Sequence, residues 1–275
     1  MEIQTGENKL DRSTYDKFRQ LIYDKSGIKL GDQKEALVSS RIGKRMRELG
    51  ITDPREYLQW VLNDDSGQEL VQLLDVISTN VTSFYREPQH FDLLDSLLRK
   101  WWSEGQRKFR IWSAASSTGE EPYTIAVVVM EALGTQASDV KILATDISTR
   151  VLEQCRRGEY DRNRVEGVPF MLRDKYFDTV RDDYGAVYRV KDRLKSMMSF
   201  RRLNLSTPPF PMRGPLDVIF CRNVMIYFDN QVRARLLEDM YRLLKPGGFL
   251  MVGHSESLTG LVSRFKPVRP SVYTK

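Results

Sequence analysis

Cysteine and histidine are scarce, two of each in 275 residues. Cys155 and Cys221 lie far apart, and neither sits in a Cys-x-x-Cys pair, which argues against a disulfide framework or a thiolate metal centre. His90 and His254 are too few for a metal site built mainly on imidazole, or for a mechanism with several histidine acid–base groups. No metal is expected, and both histidines are read as structural. No apolar run approaches the roughly 20 residues that span a bilayer. The polar start, Met1 to Ser13, has no signal-peptide core. The expectation is a cytoplasmic protein with no direct membrane insertion. Repeats and low-complexity tracts are missing too.

What is present is a globular balance, 41% hydrophobic and 29% charged. The chain is long enough for one large domain, or for a medium and a small one. A net charge of +6 suits an acidic partner such as nucleic acid, anionic lipid or an acidic protein face. The total does not choose among them.

Up to about residue 78 the hydrophobic period is helical. Ser13 to Lys25 spaces Tyr15, Phe18, Leu21 and Ile22 for one face and stops at Gly27. Lys34 to Leu49 does the same with Leu37, Ile42, Met46 and Leu49, and Gly50 ends it. Asp53-Pro54-Arg55-Glu56 reads as a capping box with proline at the first helical position, opening a helix through Tyr57, Trp60 and Val61. A fourth helix from Ser66 turns Leu70, Leu73, Leu74 and Ile77 inward. A small helical bundle follows.

After Thr79 the texture becomes α/β. Strands are predicted at Arg110–Ala115, Lys141–Asp146, Leu216–Cys221 and Phe249–Gly253. Helices are predicted from Glu121 to Leu133, after Ser148, and from about Asn230 to Leu244, with a turn at Lys245–Gly248. The alternation implies a doubly wound, mostly parallel sheet. Residues from about 160 to 200 interrupt it, with Tyr184–Val190 read as part of an inserted hairpin.

Ligands of open α/β sheets sit beyond the carboxyl ends of the strands. Ser113–Pro122 supplies small residues and a helix start behind them. Asp146, ending the second strand, can accept hydrogen bonds from both hydroxyls of a ribose. Together these favour a nucleoside-containing cofactor. The first loop has a single glycine, Gly119, so the dinucleotide pattern G-x-G-x-x-G is not met, nor is the Gly-Lys-Ser/Thr of a P-loop. S-adenosylmethionine carries no phosphate and needs no such loop. Past the third strand, Cys221–Phe228 offers Asn223, Tyr227 and Phe228 to line a pocket. Taken alone, that run also fits a buried strand entering a helix.

Five stretches, Thr79–Glu87, Trp112–Tyr123, Ala144–Ile147, Phe220–Phe228 and Gly253–Ser257, resemble the chemotaxis receptor methyltransferase family (CheR-type) in residues, order and spacing. The resemblance runs from about residue 20 onward. It implies a helical substrate-recognition domain over 1–78, a linker and linking helix over 79–108, and a class I methyltransferase domain over 109–275 with a β-subdomain inserted at about 160–200.

The resemblance also implies cofactor contacts from Asn80, Thr82 and Arg86, with Asp146 on the ribose. Asn204 and Leu205 fall where the family contacts adenosine, and Cys221 and Arg222 close the far wall. Glu120 and Glu121 are adjacent candidates for one further contact, and Glu121 is the expectation. Arg86 and Tyr227 match the residues nearest the transfer site. The implied reaction moves a methyl group from S-adenosylmethionine to receptor glutamates, leaving S-adenosylhomocysteine. A glutamate of pKa about 4.3 is already ionised at neutral pH, so no general base is required. That suits a chain with two histidines.

The implied partners are methyl-accepting chemotaxis receptors, whose methylation regions are glutamate-rich helical bundles. Arg41 and Arg45, four apart on one helix face, are candidate substrate contacts through charge complementarity. Some family members dock on a receptor pentapeptide through a glycine-rich loop of the β-subdomain. Thr179–Gly185 has one glycine, which counts against that tether here. Two other readings stand beside this one. A nucleic-acid methyltransferase would suit the positive charge, although no aromatic stacking platform accompanies the basic residues. A non-catalytic module could keep the same fold.

Overall fold

In the computed structural model, which describes residues 10–134, 137, 139–182, 185–261 and 263–275, the Asp11 carboxylate accepts the Thr14 N–H at 2.9 Å and opens α1 (Arg12–Ser26). Then come α2 (Glu35–Leu49), α3 (Pro54–Asn63) and α4 (Gln68–Ile77). Gly27 and Gly50 close α1 and α2 with φ +71°, a left-handed cap that favours glycine. These helices form one compact unit, extending to Thr79 and taking in Tyr227–Asp229. Its core joins Tyr15, Phe18 and Ile22 to Ile42, Met46, Tyr57, Leu73 and Leu74.

Two apolar residues expected inside are not. Leu37 is 42% exposed and Trp60 47% exposed. In α2 the inward row is Val38, Ile42 and Met46, at i, i+4 and i+8, and Leu37 stands one residue off that row. The expected helix from Lys34 starts one residue later, because Asp32–Lys34 is a 3₁₀ turn.

The second unit comprises Asn80–Ile226 and Asn230–Lys275. It opens with α5 (Gln89–Ser103), followed by β1 (Phe109–Ser113), α6 (Glu120–Leu133), β2 (Val140–Asp146) and α7 (Thr149–Arg157). An insertion carries β3 (Glu159–Asp161), α8 (Arg162–Val165), α9 (Phe170–Tyr176), β4 (Phe177–Asp182), β5 (Gly185–Val190) and α10 (Asp192–Lys195). The chain resumes with β6 (Met198–Arg202), β7 (Leu216–Cys221), α11 (Asn230–Leu243), β8 (Leu244–Val252), β9 (Lys266–Arg269) and β10 (Val272–Thr274).

The large sheet has the order β6-β2-β1-β7-β8-β10-β9. It is parallel from β6 to β8 and antiparallel at β10 and β9. This is the class I methyltransferase α/β fold. Its core packs Phe91, Leu94 and Leu98 of α5 with Tyr123 and Val127 of α6 against Ile111, Ile142 and Phe220.

The inserted sheet has three antiparallel strands, β3-β5-β4, rather than a hairpin alone. Tyr184, the first residue of the stretch read as a hairpin, lies outside the described residues with Asp183. β6 falls within the expected insertion by number but belongs to the large sheet, where its backbone pairs with β2. The turn expected at Lys245–Gly248 is a bulge inside β8. Leu216 pairs with Leu244 and Val218 with Phe249, so the four residues stand opposite one. No described helix is long and apolar enough to cross a membrane.

Candidate active site

Strand register brings the sequence motifs to one edge of the large sheet. Ser113 lies opposite Ala144 and Phe220, Asp146 opposite Arg202, and Cys221 opposite Val252. The loop after β1, the end of β2, the Leu203–Leu205 run and the turns after β7 and β8 therefore follow one another across the carboxyl ends.

Asp146 is buried, and its side chain is fixed by two backbone donors, Ser117 N–H at 2.9 Å and Ser148 N–H at 3.0 Å. These two bonds set the orientation of the carboxylate. The Asp146 carbonyl accepts the Leu203 N–H at 3.0 Å, which brings Asn204 and Leu205 beside it. Leu205 is buried, and Asn204 folds onto Ser206 through its side-chain oxygen.

The loop after β1 is braced from behind. Tyr160 donates to the Thr118 carbonyl at 2.9 Å, and the Cys155 thiol, raised in pKa by burial, contacts the Ser117 carbonyl at 3.1 Å. Gly119 has φ +104°, and a Cβ there would fall 2.5 Å from the Tyr160 hydroxyl. Ser117 takes φ +47° and donates its hydroxyl to the Asn80 carbonyl at 3.0 Å.

Arg222 is the charged hub of this edge. Its side chain is 2% exposed and pairs with Glu121 at 3.0 Å and Glu87 at 3.1 Å. It also donates to the Arg86 carbonyl. Burial pushes Glu121 above the ordinary carboxylate range, opposed by Arg222 and by the Ser113 hydroxyl at 2.7 Å. For Glu87 burial also pushes upward, but Arg222 and the His254 N–H and ring together outweigh it, and the net shift is downward. Glu120 turns elsewhere, to Arg164 at 2.7 Å and the Thr118 hydroxyl at 2.6 Å. The two adjacent glutamates thus take different partners. The Arg86 guanidinium donates to the Val81 carbonyl at 3.0 Å, and Thr82 is half-buried. Cys221 is buried, which raises its thiol pKa.

Glu256, fully buried, accepts N–H groups from Asn223 at 2.6 Å, Gly253 at 2.7 Å and Ile226 at 3.2 Å. It ties the turn after β7 to the turn after β8. Neither Glu87 nor Glu256 was read from sequence as a site residue, though both lie inside the quoted motifs. Tyr85, Glu87, Ser117 and Asn223 all have φ between +47° and +58°. Such strain gathers where neighbouring structure over-determines the backbone, commonly at functional sites.

Three candidates lie in the helical unit. The Tyr227 carbonyl accepts the Lys29 N–H at 2.8 Å. Arg41 caps the end of α4, donating to the carbonyls of Ile77 and, at 3.2 Å, Ser78. Arg45 makes a two-pronged pair with buried Glu69 at 2.9 and 2.6 Å, and Tyr57 joins at 2.7 Å. Both arginines share a face of α2 and are engaged within their own unit. Lys44 and Arg47 face solvent.

Residues 13–78 match the model of the CheR methyltransferase all-alpha domain, and residues 80–274 match that of the CheR methyltransferase SAM-binding domain. The chain belongs to the CheR methyltransferase family. It is 40% identical to chemotaxis protein methyltransferase 2 of Pseudomonas aeruginosa over 263 residues, 96% of this chain and 93% of that one. It is 38% identical to the chemotaxis protein methyltransferase of Escherichia coli, over 96% of this chain and 91% of that one. With the chemotaxis protein methyltransferase of Borreliella burgdorferi the identity is 37%, covering 99% and 100%. As a CheR methyltransferase, this protein uses S-adenosylmethionine, and the edge built around Asp146 belongs to its SAM-binding domain.

Proposed function

We propose that this protein esterifies glutamate side chains on the cytoplasmic helical bundles of bacterial chemoreceptors. The observation that carries the reading is the strand-end edge, where a small-residue loop and Asp146 are locked together by the Ser117 N–H. The donor set fits the cofactor: one oriented carboxylate for ribose hydroxyls, and no glycine-dense phosphate cradle. When bound, S-adenosylmethionine supplies a methyl carbon on a positively charged sulfur, a good leaving group that needs no protonation.

The chain's own share is placement. Asn80, Thr82, Glu121, Asn204, Leu205, Cys221 and Arg222 are assigned to the cofactor wall with Asp146. Arg86 orients the incoming carboxylate, which its planar guanidinium matches. The nucleophile arrives ionised, so no residue has to take a proton. Alignment alone is worth an effective molarity of roughly 10⁵ M or more. The solvent-facing charges Lys44 and Arg47, with Arg41 and Arg45 behind them, steer α2 toward acidic receptor helices. No pentapeptide tether is assigned.

The test is incubation with methyl-labelled cofactor and either receptor fragments or RNA. Label should enter the receptor fragment and leave as methanol in mild base, as an ester requires. Base-stable label, or label in RNA alone, would refute the assignment.

A further inference from the structure

The chain's two histidines, far apart in sequence, meet in the fold. Their rings lie edge to face with centroids 5.5 Å apart. Glu87 joins them, its Oε2 3.5 Å from His90 Nδ1 and 3.9 Å from His254 Nε2. One ligand atom from each of the three falls within 4.8 Å of the other two. His90 is 2% exposed, and among the described residues neither ring nitrogen has a hydrogen-bond partner. Buried polar atoms are nearly always paired, so an imidazole with two orphan nitrogens needs an explanation.

We propose that Glu87, His90 and His254 form a binding site for one late first-row divalent cation of the Zn²⁺ class. Two imidazoles and one carboxylate are a ligand set that such ions favour. Metal–ligand bonds of about 2.0–2.2 Å put tetrahedral ligands about 3.4 Å apart. The two distances to Glu87, 3.5 and 3.9 Å, are already close to that edge. The His254 side chain is half-exposed, so it has freedom to adjust, and water has access to the fourth position.

Arg222 shares Glu87 Oε2 at 3.1 Å, and its positive charge opposes a second cation. Glu121 on the other side of the guanidinium offsets this, so two carboxylates face one arginine before any ion binds. The Glu87 Oε1 atom accepts the His254 N–H at 3.3 Å, so the turn after β8 is held in place without metal. A bound ion would add a second tie between that turn and the segment that carries Arg86. Counting histidines in the sequence argued against a metal site. The count cannot show that both meet at one glutamate.

The experiment titrates untagged full-length protein with Co²⁺, followed by Zn²⁺ competition, on wild type and His254→Ala. Wild type should bind one Co²⁺ with the visible absorption of a four-coordinate site, and Zn²⁺ should abolish it. His254→Ala should lose at least 100-fold in affinity while its metal-free melting temperature stays unchanged. If that variant is poorly folded, NMR of ¹⁵N-labelled histidine in wild type decides. One equivalent of Zn²⁺ should shift the ring signals of both histidines together. The proposal is overturned if wild type binds no stoichiometric metal, if His254→Ala binds as tightly, or if Zn²⁺ leaves the ring signals in place.

Discussion

The Arg222 guanidinium lies 3.0 Å from the Glu121 carboxylate inside the protein, across 101 positions of sequence. This pair joins the end of β7 to the start of α6. Arg222→Met should leave Glu121 buried and unpaired, at a cost of about 3–5 kcal/mol. Arg222→Lys should recover little, because one ammonium cannot serve Glu121, Glu87 and the Arg86 carbonyl in the geometry of a planar fork. Adding Glu121→Gln to Arg222→Met should restore part of the loss. Urea unfolding measures all three. A midpoint within error of wild type for Arg222→Met would remove the pair from the account.

On α2, stability and substrate attraction should separate. Arg45→Ala should destabilise by about 2 kcal/mol, less than a fully buried pair, because Arg45 keeps some solvent contact while Glu69 does not. Lys44→Glu with Arg47→Glu should leave the unfolding midpoint nearly unchanged and raise the KM for receptor severalfold, with cofactor affinity intact. An unchanged KM would take α2 out of receptor steering.

Acid should expose the cap of α1. The Thr14 N–H, chiefly, and then the Arg55 guanidinium and Thr14 hydroxyl hold the Asp11 carboxyl down at about 2. The lowered value means that the stabilisation is complete above the ordinary Asp pKa of about 3.9 and fades as pH falls through about 2. Asp11→Asn keeps a capping oxygen but does not titrate. Its unfolding midpoint should therefore lie below wild type at pH 5, and the gap should narrow at pH 3. A constant gap would show that Asp11 does not act through its charge.

The legible part of this protein is the part encoded by short-range pattern. The buried strands and the order of elements follow from hydrophobic runs and turn residues, and Asp146 ends β2 at the carboxyl edge of the sheet as its strand pattern predicts. Charge partners were not legible. Glu256 receives two of its three N–H groups from about thirty residues before it, and Glu87 meets Arg222 from across the unit. The same blindness affects Arg41 and Arg45. Their four-residue spacing correctly puts them on one face, but the carbonyls of Ile77 and Ser78 and the carboxylate of Glu69, which engage them, come from a different helix, α4, and the residue that follows it. Hydrophobicity alone places Leu37 inside, although the four-residue row through Ile42 and Met46 runs through its neighbour Val38, which faces the core while Leu37 faces water.

The central claim is that Asp146 grips the cofactor at the carboxyl edge of the sheet. Calorimetry with S-adenosylmethionine on folded wild type, Asp146→Asn and Asp146→Ala tests it most directly. Hydrogen bonds to a charged acceptor are worth about 1.5–3 kcal/mol each, so Asp146→Ala should bind roughly 100-fold more weakly, with Asp146→Asn between. Wild-type affinity in Asp146→Ala would contradict the account.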